Sequence, residues 1–372
     1  MSSQPGVMSW FNGYSRREPG ETENTFSATY RMVDLIDKGY VDAEEGRAFL
    51  EEAGLNDFLW EVTWPEDFET PDEMLENRLR DVQGYTIFIH GWTGNHSIWE
   101  ELPGLVVSAN RRLVAISVDH NGFGQSSFVD NTPGLDSCNP PAAMRTIQRW
   151  VELLNLRRQP GSIQHKVINF VGHSMGGATL FYLNPIFWRY GEVTRYTLAP
   201  ALLLEDEIYK AFYTTLGIGI GILQRVKVLE FVERFIKPTM VQNLAAGASE
   251  YVKGVHSRQY DETPRGITGA TFMAMGQLSD YEIARDWSLT RVMLGHRDRL
   301  VGLVGMMDLL GKLEFPAGNL RVVAGTHYMF SVGSENPRNA FQHAQNRDLV
   351  VEDILNLHER AVQMQRTGQR VG

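Results

Sequence analysis

The chain has 372 residues, 43% of them hydrophobic and 22% charged, and a formal net charge of -10. This is the composition of an ordinary soluble globular protein, long for one compact domain and short for three, so one large domain with an insertion or extension is expected. The acidic balance and the lack of clustered Lys and Arg argue against nucleic acid, and a single cysteine, Cys138, excludes an intrachain disulfide and a thiolate metal cluster.

The opening residues, Met1 to Trp10, lack the basic and apolar regions of a secretory signal. The uncharged stretch from Ala211 to Gln224 falls short of the about 20 apolar residues needed to cross a bilayer. A cytoplasmic protein without membrane insertion is therefore expected. Residues 1–80 read as an N-terminal extension packed on the rest. Within it Phe26, Tyr30, Val33 and Ile36 recur at helical spacing and stop at Gly39, which predicts a helix. Asp42 caps a second predicted helix, Ala43 to Ala53, which ends at Gly54. Trp60-Glu61-Val62-Thr63-Trp64 alternates as a strand that Pro65 ends.

From Tyr85 onward the pattern becomes regular. Thr86–Ile89, Leu113–Val118, Val167–Val171, Val193–Ala199, Arg291–Leu294 and Leu320–Ala324 are short β-rich runs. Helical patterns separate several of them. One begins at Asn139-Pro140-Pro141, a cap followed by proline, and carries Met144, Ile147, Trp150, Val151 and Leu154 on one face. Apolar strands alternating with helices predict an α/β fold, a mostly parallel sheet with helices on both faces, built from 81–202 and 284–372. Between 203 and 283 the strand pattern fails and helical patterns follow one another, which predicts a helical cap. The string Gly217, Gly219, Gly221 has no strand before it and reads as part of a closely packed helix rather than a dinucleotide loop.

In an open parallel sheet, loops leaving the carboxyl ends of the strands share one rim, so residues distant in sequence meet there. Ser174 follows the Val167–Val171 strand in Gly172-His173-Ser174-Met175-Gly176, with helix-like residues after it. A strand turning sharply into a helix strains the residue at its apex and exposes its hydroxyl, and the flanking glycines let the two elements approach. Asp298 follows the Arg291–Leu294 strand, and His327 follows the Leu320–Ala324 strand. Glu205 and Asp206, after the preceding strand, compete with Asp298 for the acid role. Upstream, His90-Gly91-Trp92-Thr93-Gly94 follows a strand, and its glycines let the backbone approach a substrate carbonyl, with the N–H groups of Trp92 and Met175 as oxyanion donors. Asp119 to Ser126 forms a glycine turn beside these loops. His90, His96 and His120 lack the spacing of a metal site, so neither a metal nor another cofactor is expected.

Together H-G-W at 90–92, D-x-x-G-x-G-x-S at 119–126, G-H-S-M-G-G at 172–177, G-x-x-D at 295–298 and G-x-H at 325–327 resemble the α/β-hydrolase superfamily, in its capped serine esterase and lipase-like branch. The resemblance covers about 85–372 and implies the α/β-hydrolase fold. It further implies Ser174 as nucleophile, His327 as general base and acid, Asp298 as the residue orienting it, and Trp92 and Met175 as oxyanion donors. A serine at the apex is unlike the epoxide hydrolase and haloalkane dehalogenase branches, which carry aspartate there. The expected activity is hydrolysis of a small-molecule ester with an apolar acyl or aromatic group. His90, Gly91 and His173 flank the substrate, while Phe212 and Leu216, with neighbours such as Tyr213 and Ile220, supply an apolar cap surface. Carbon–carbon bond hydrolases, cofactor-free perhydrolases and receptor-like relatives share these motifs and stay open as alternatives. A homo-oligomer is compatible with this reading.

Overall fold

The computed structural model describes residues 15–16, 25–65, 82–154, 166–183, 193–202, 207–223, 230–279, 282–332 and 337–367. Its strands are β1 (Ser15–Arg16), β2 (Thr25–Arg31), β3 (Leu59–Pro65), β4 (Gly84–Ile89), β5 (Leu113–Val118), β6 (Val167–His173), β7 (Val193–Leu198), β8 (Thr290–Gly295) and β9 (Leu320–Val323). They form one sheet in the order β1-β2-β3-β5-β4-β6-β7-β8-β9. From β5 to β9 every neighbouring pair is parallel, whereas β1, β2 and β3 add on antiparallel.

The strands β4, β5 and β6 are buried on both faces, as their continuous apolar sequences require. Alternate residues feed two cores. Ile87, Val114, Ile116, Ile168 and Phe170 face one, and Phe88, Ala115 and Val171 face the other. The helices below account for both covers. On the first face lie α1 (Met32–Asp37), α2 (Ala43–Ala53), α5 (Pro140–Leu153), α6 (Met175–Phe181) and α11 (Leu303–Lys312). On the second lie α3 (Leu102–Ala109) and α12 (Pro337–Thr367). A short helix, α4 (Leu135–Cys138), precedes α5. Local signals set several of these ends. Asp42 accepts hydrogen bonds from the N–H groups of Glu44 and Glu45, Gly54 closes α2 in the left-handed conformation at φ 65°, and Asn139 accepts from the Ala142 N–H.

The start of the chain departs from expectation. The predicted helix through Phe26 and Tyr30 is the strand β2, and only from Met32 does a helix form. Spacing of apolar residues by about four fits a strand as well as a helix when both faces of the strand are covered. Here Thr25, Ser27, Ala28 and Tyr30 are all buried. Rather than lying on a finished sheet, β2 and β3 extend it, with Trp60, Glu61, Val62 and Thr63 of β3 opposite Val118, Ser117, Ile116 and Ala115 of β5.

Among the described residues four helices lie between β7 and β8: α7 (Glu207–Leu223), α8 (Glu230–Leu244), α9 (Glu250–Glu262) and α10 (Arg265–Met275). The glycine string lies in α7, where its first member, Gly217, permits close packing and a Cβ on Gly219 or Gly221 would meet nothing within 4 Å. A Cβ on Gly217 would meet the Met273 side chain and, at 2.7 Å, the Gly269 carbonyl of α10. Among the described residues no helix is long and apolar enough to cross a membrane.

Candidate active site

Ser174 stands between β6 and α6 with φ 54° and ψ -118°, and 8% of its surface is exposed. For a residue with a Cβ this conformation costs about 1–3 kcal/mol and persists only where the surroundings impose it. The Ser174 N–H donates to the Leu198 carbonyl at 3.0 Å, and its own carbonyl accepts from Ala178 and Ala201 at 2.9 Å each, so both neighbouring elements grip the turn. The glycines at either side are sterically required. A Cβ on Gly172 would run into the Gly176 carbonyl, and one on Gly176 into the carbonyls of Ile89 and His90.

At the same rim, beyond β8 and β9, the His327 Nδ1–H donates to Asp298 Oδ2 at 2.8 Å. The other Asp298 oxygen accepts from the N–H groups of Leu300 and Val301 at 2.9 and 3.1 Å. Burial alone would raise the Asp298 carboxyl. The adjoining imidazole and these donors more than offset it and hold the carboxyl below its usual range. Asp298 is therefore ionised at neutral pH and fixes the proton of His327 on Nδ1, leaving Nε2 as an acceptor. His327 is 2% exposed and lies against His173, the residue before Ser174, with ring centroids 4.6 Å apart. The competing acids Glu205 and Asp206 lie outside the described residues.

Gly91 passes close over Ser174, because a Cβ there would meet Ser174 Cβ at 2.9 Å. The turn is closed by the Gly94 N–H donating to the Gly91 carbonyl at 3.0 Å. Between them, the backbone N–H of Trp92 has no hydrogen-bond partner among the described residues. Its indole points into the helical insertion. Nε1 donates to the Thr268 carbonyl and to Thr271 Oγ1, each at 3.1 Å, and the ring packs on Phe272 at 4.4 Å. Met175 is the first residue of α6, so its backbone N–H is one that the helix itself does not satisfy.

The flanking histidines hydrogen-bond to the backbone of these loops. His90 and His173, expected at the substrate, are wholly buried. His90 Nδ1–H donates to the Gly91 carbonyl at 2.7 Å, and its Nε2 accepts from the His120 N–H at 3.1 Å. His120 Nε2–H returns a bond to the His90 carbonyl at 2.8 Å, and the rings lie 4.3 Å apart. The Nε2–H of His173 donates to the His327 carbonyl at 3.1 Å. Burial first, then neighbouring imidazoles, holds His90 and His173 well below the ordinary histidine value, so both rings are neutral. His96 differs: burial opposes its charge, yet Asp119 at 2.8 Å and Glu61 raise it to about 9. The fully buried Asp119 also accepts from the Gln125 N–H at 2.9 Å, which ties the glycine turn to the His96 segment.

Of the two residues expected to supply an apolar cap surface, Leu216 is partly buried against the apolar core, and the Phe212 side chain lies outside the described residues. Several polar residues beside the rim are not specified by the motifs, Asn121 being at a variable position of the 119–126 turn. His256 joins Thr93 to Tyr328, Gln259 Oε1 accepts from the Gly124 N–H at 2.8 Å, and Asn121, at φ 58°, brings Nδ2 within 3.5 Å of Met175 Sδ. In the sequence their signal is weak but present. His256 with Gln259 and Thr268 with Thr271 are polar residues three apart on the buried faces of α9 and α10.

Comparison with known proteins agrees with this architecture. A family model described as the alpha/beta hydrolase fold matches residues 87–186. No curated protein matches the chain by sequence. Among solved structures, a thermophilic esterase from Thermogutta terrifontis is 14% identical with a TM-score of 0.53, covering 81% of this chain and 95% of its own. A bromoperoxidase from Bacillus anthracis is 16% identical with a TM-score of 0.53, covering 81% and 96%. An enol-lactonase from Burkholderia xenovorans LB400 is 11% identical with a TM-score of 0.50, covering 82% and 98%.

Proposed function

The chain has the α/β-hydrolase fold, and from that premise we propose that it is a serine hydrolase cleaving carboxylic esters of apolar acyl or aromatic substrates. One observation carries the reading. The hydrogen bond from His327 Nδ1 to Asp298 Oδ2, 2.8 Å long, lies on the strand-end rim that also holds Ser174 at a strained φ of 54°.

His327 Nε2 takes the proton of Ser174 Oγ as the oxygen attacks the ester carbonyl. The oxyanion is stabilised by the N–H groups of Trp92 and Met175, and the Trp92 N–H, without a hydrogen-bond partner among the described residues and next to Gly91, which lies over Ser174, supports that role. His327 then gives its proton to the leaving alcohol. Water repeats the cycle on the acyl-enzyme, with His327 first as base and then as acid returning the proton to Ser174. Asp298 keeps the imidazole in the required tautomer throughout. The helices α7 to α10 act as the cap, and residues such as Tyr213 and Ile220 supply its apolar interior. Similarity to an esterase and a lactonase is consistent with acyl transfer, similarity to a bromoperoxidase is equally consistent with peroxide chemistry as the second reading, and no particular observation favours carbon–carbon cleavage.

The test is covalent labelling by a fluorophosphonate together with hydrolysis of acyl esters of rising chain length. Wild-type protein should take one label and turn over at least one ester of the series, and Ser174→Ala should lose both. Equal labelling or turnover by the variant removes Ser174 from the mechanism.

A further inference from the structure

The helical insertion does more than cover the site, because its buried polar groups end on the loops that carry the chemistry. The turn at Ala246 holds the base loop from both sides of His327: the Ala246 carbonyl accepts from Thr326 Oγ1 at 2.8 Å and from the Tyr328 N–H at 3.0 Å. Thr268 and Thr271 of α10 hold the Trp92 indole. His256 of α9 touches both loops at once. Its Nδ1 lies 2.9 Å from Thr93 Oγ1, next to Trp92, and its Nε2 lies 2.6 Å from the Tyr328 hydroxyl, next to His327.

His256 is 2% exposed, and the three groups sit in a space with little slack. Thr93 stands at φ 55°, and the Tyr328 ring is wedged against His173 at 4.3 Å, His256 at 5.6 Å and Phe330 at 5.7 Å. Burial holds the imidazole down to about 4, so it is neutral and has one donor and one acceptor nitrogen. One partner must donate to it and the other accept from it, so the chain Thr93–His256–Tyr328 is satisfied only when both loops are in place.

We propose that His256 is a positioning residue for the reaction at Ser174: bridging Thr93 and Tyr328, it fixes the oxyanion loop and the base loop relative to each other when the insertion is docked. The inference rests on the catalytic reading above for its effect on rate, but not for the bridge itself. His256 touches neither substrate nor the reacting atoms. It acts through Trp92 on one side and His327 on the other, where a misplacement of about 1 Å can cost on the order of 100-fold in rate.

Four variants test the bridge. Tyr328→Phe deletes a single oxygen, His256→Leu removes both hydrogen bonds at similar size, the double variant combines them, and His256→Gln keeps an amide donor and acceptor. His256→Leu and Tyr328→Phe should each lower kcat for an activated ester by about 10- to 100-fold, with KM changed less than about twofold. The double variant should be no slower than His256→Leu alone, and His256→Gln should recover most of the loss. Hydrogen exchange supplies a readout that needs no substrate: in His256→Leu the amides of residues 91–94 and 326–330 should both exchange faster. Folded variants with wild-type kcat, losses that multiply in the double variant, or faster exchange in only one loop would overturn the proposal. Failure of the wild type to label at Ser174 would instead count against the catalytic reading, and the exchange experiment would still decide the bridge.

Discussion

At single residues, the chemistry depends on protons being where the geometry needs them. Asp298 is ionised and spends one oxygen on His327 and the other on two backbone N–H groups, so its replacement by asparagine keeps the size but presents a neutral amide to Nδ1. Asp298→Asn should therefore lower kcat by about four orders of magnitude with little change in KM, read from steady-state ester hydrolysis. If activity survives in that variant, the acid lies elsewhere, with Asp206 the next to replace. Cys138 gives a second residue-level expectation. Burial pushes its thiol up to about 12, so iodoacetamide at pH 8 should leave the native protein unalkylated and its activity intact. Ser174, Asp298 and His327 were legible as candidates because each follows a strand in the sequence. His256 was not, since its importance comes from two partners at sequence distances of 163 and 72 residues.

Among the secondary-structure elements, local chemistry and tertiary demand pull apart at the N-terminal side. The helix α5 obeys its local signals: Asn139 caps it, Pro140 opens it, and Met144, Ile147, Trp150 and Val151 are buried. Asn139→Ala should cost about 1 kcal/mol, measured as a lowered urea midpoint. The strand β2 obeys its neighbours instead, because Trp60 of β3 stacks on Tyr30 at 6.0 Å and meets Trp150 of α5 at 5.3 Å. That aromatic contact joins the first strands to a helix of the parallel core. Trp60→Ala should destabilise the protein by about 3–5 kcal/mol in a single cooperative transition. A separate early transition confined to the N-terminal strands would show that they are not part of the main cooperative unit.

For the whole molecule, the buried histidines set a pH window of stability. His120, His256 and His358 are held at about 4 by burial, opposed in part for the first two by hydrogen bonds, and His90 and His173 are held well below the ordinary value. In the unfolded chain each titrates near about 6.5, so as pH falls below that value the unfolded state binds more protons. The stability these neutral rings contribute is present above about 6.5 and is lost as pH falls toward their folded values, each by up to about 1.4 kcal/mol per pH unit. His96 has the opposite sign. Although burial opposes its charge, Asp119 and Glu61 raise it to about 9, so its contribution is full below about 6.5 and disappears as pH rises through about 9. Urea midpoints at pH 5, 7 and 9 should therefore be highest at pH 7, and His96→Gln should flatten the alkaline decline while leaving the acid one. Equal midpoints at pH 5 and 7 would refute the acid arm.

By itself the sequence determined the parallel sheet, most strand positions within a residue or two, and the order in which serine, aspartate and histidine reach the rim. These follow from local rules: apolar runs of strand length, caps and glycines at turns, and the fact that parallel strands all end on one side. Only the tertiary structure decided that Thr25–Arg31 is a strand, that His90 and His173 are wholly buried, and that the insertion holds the loops after β4 and β9 through His256, Thr268 and Ala246. Those outcomes depend on which buried polar group finds which partner across the fold, and sequence spacing carries no record of that pairing.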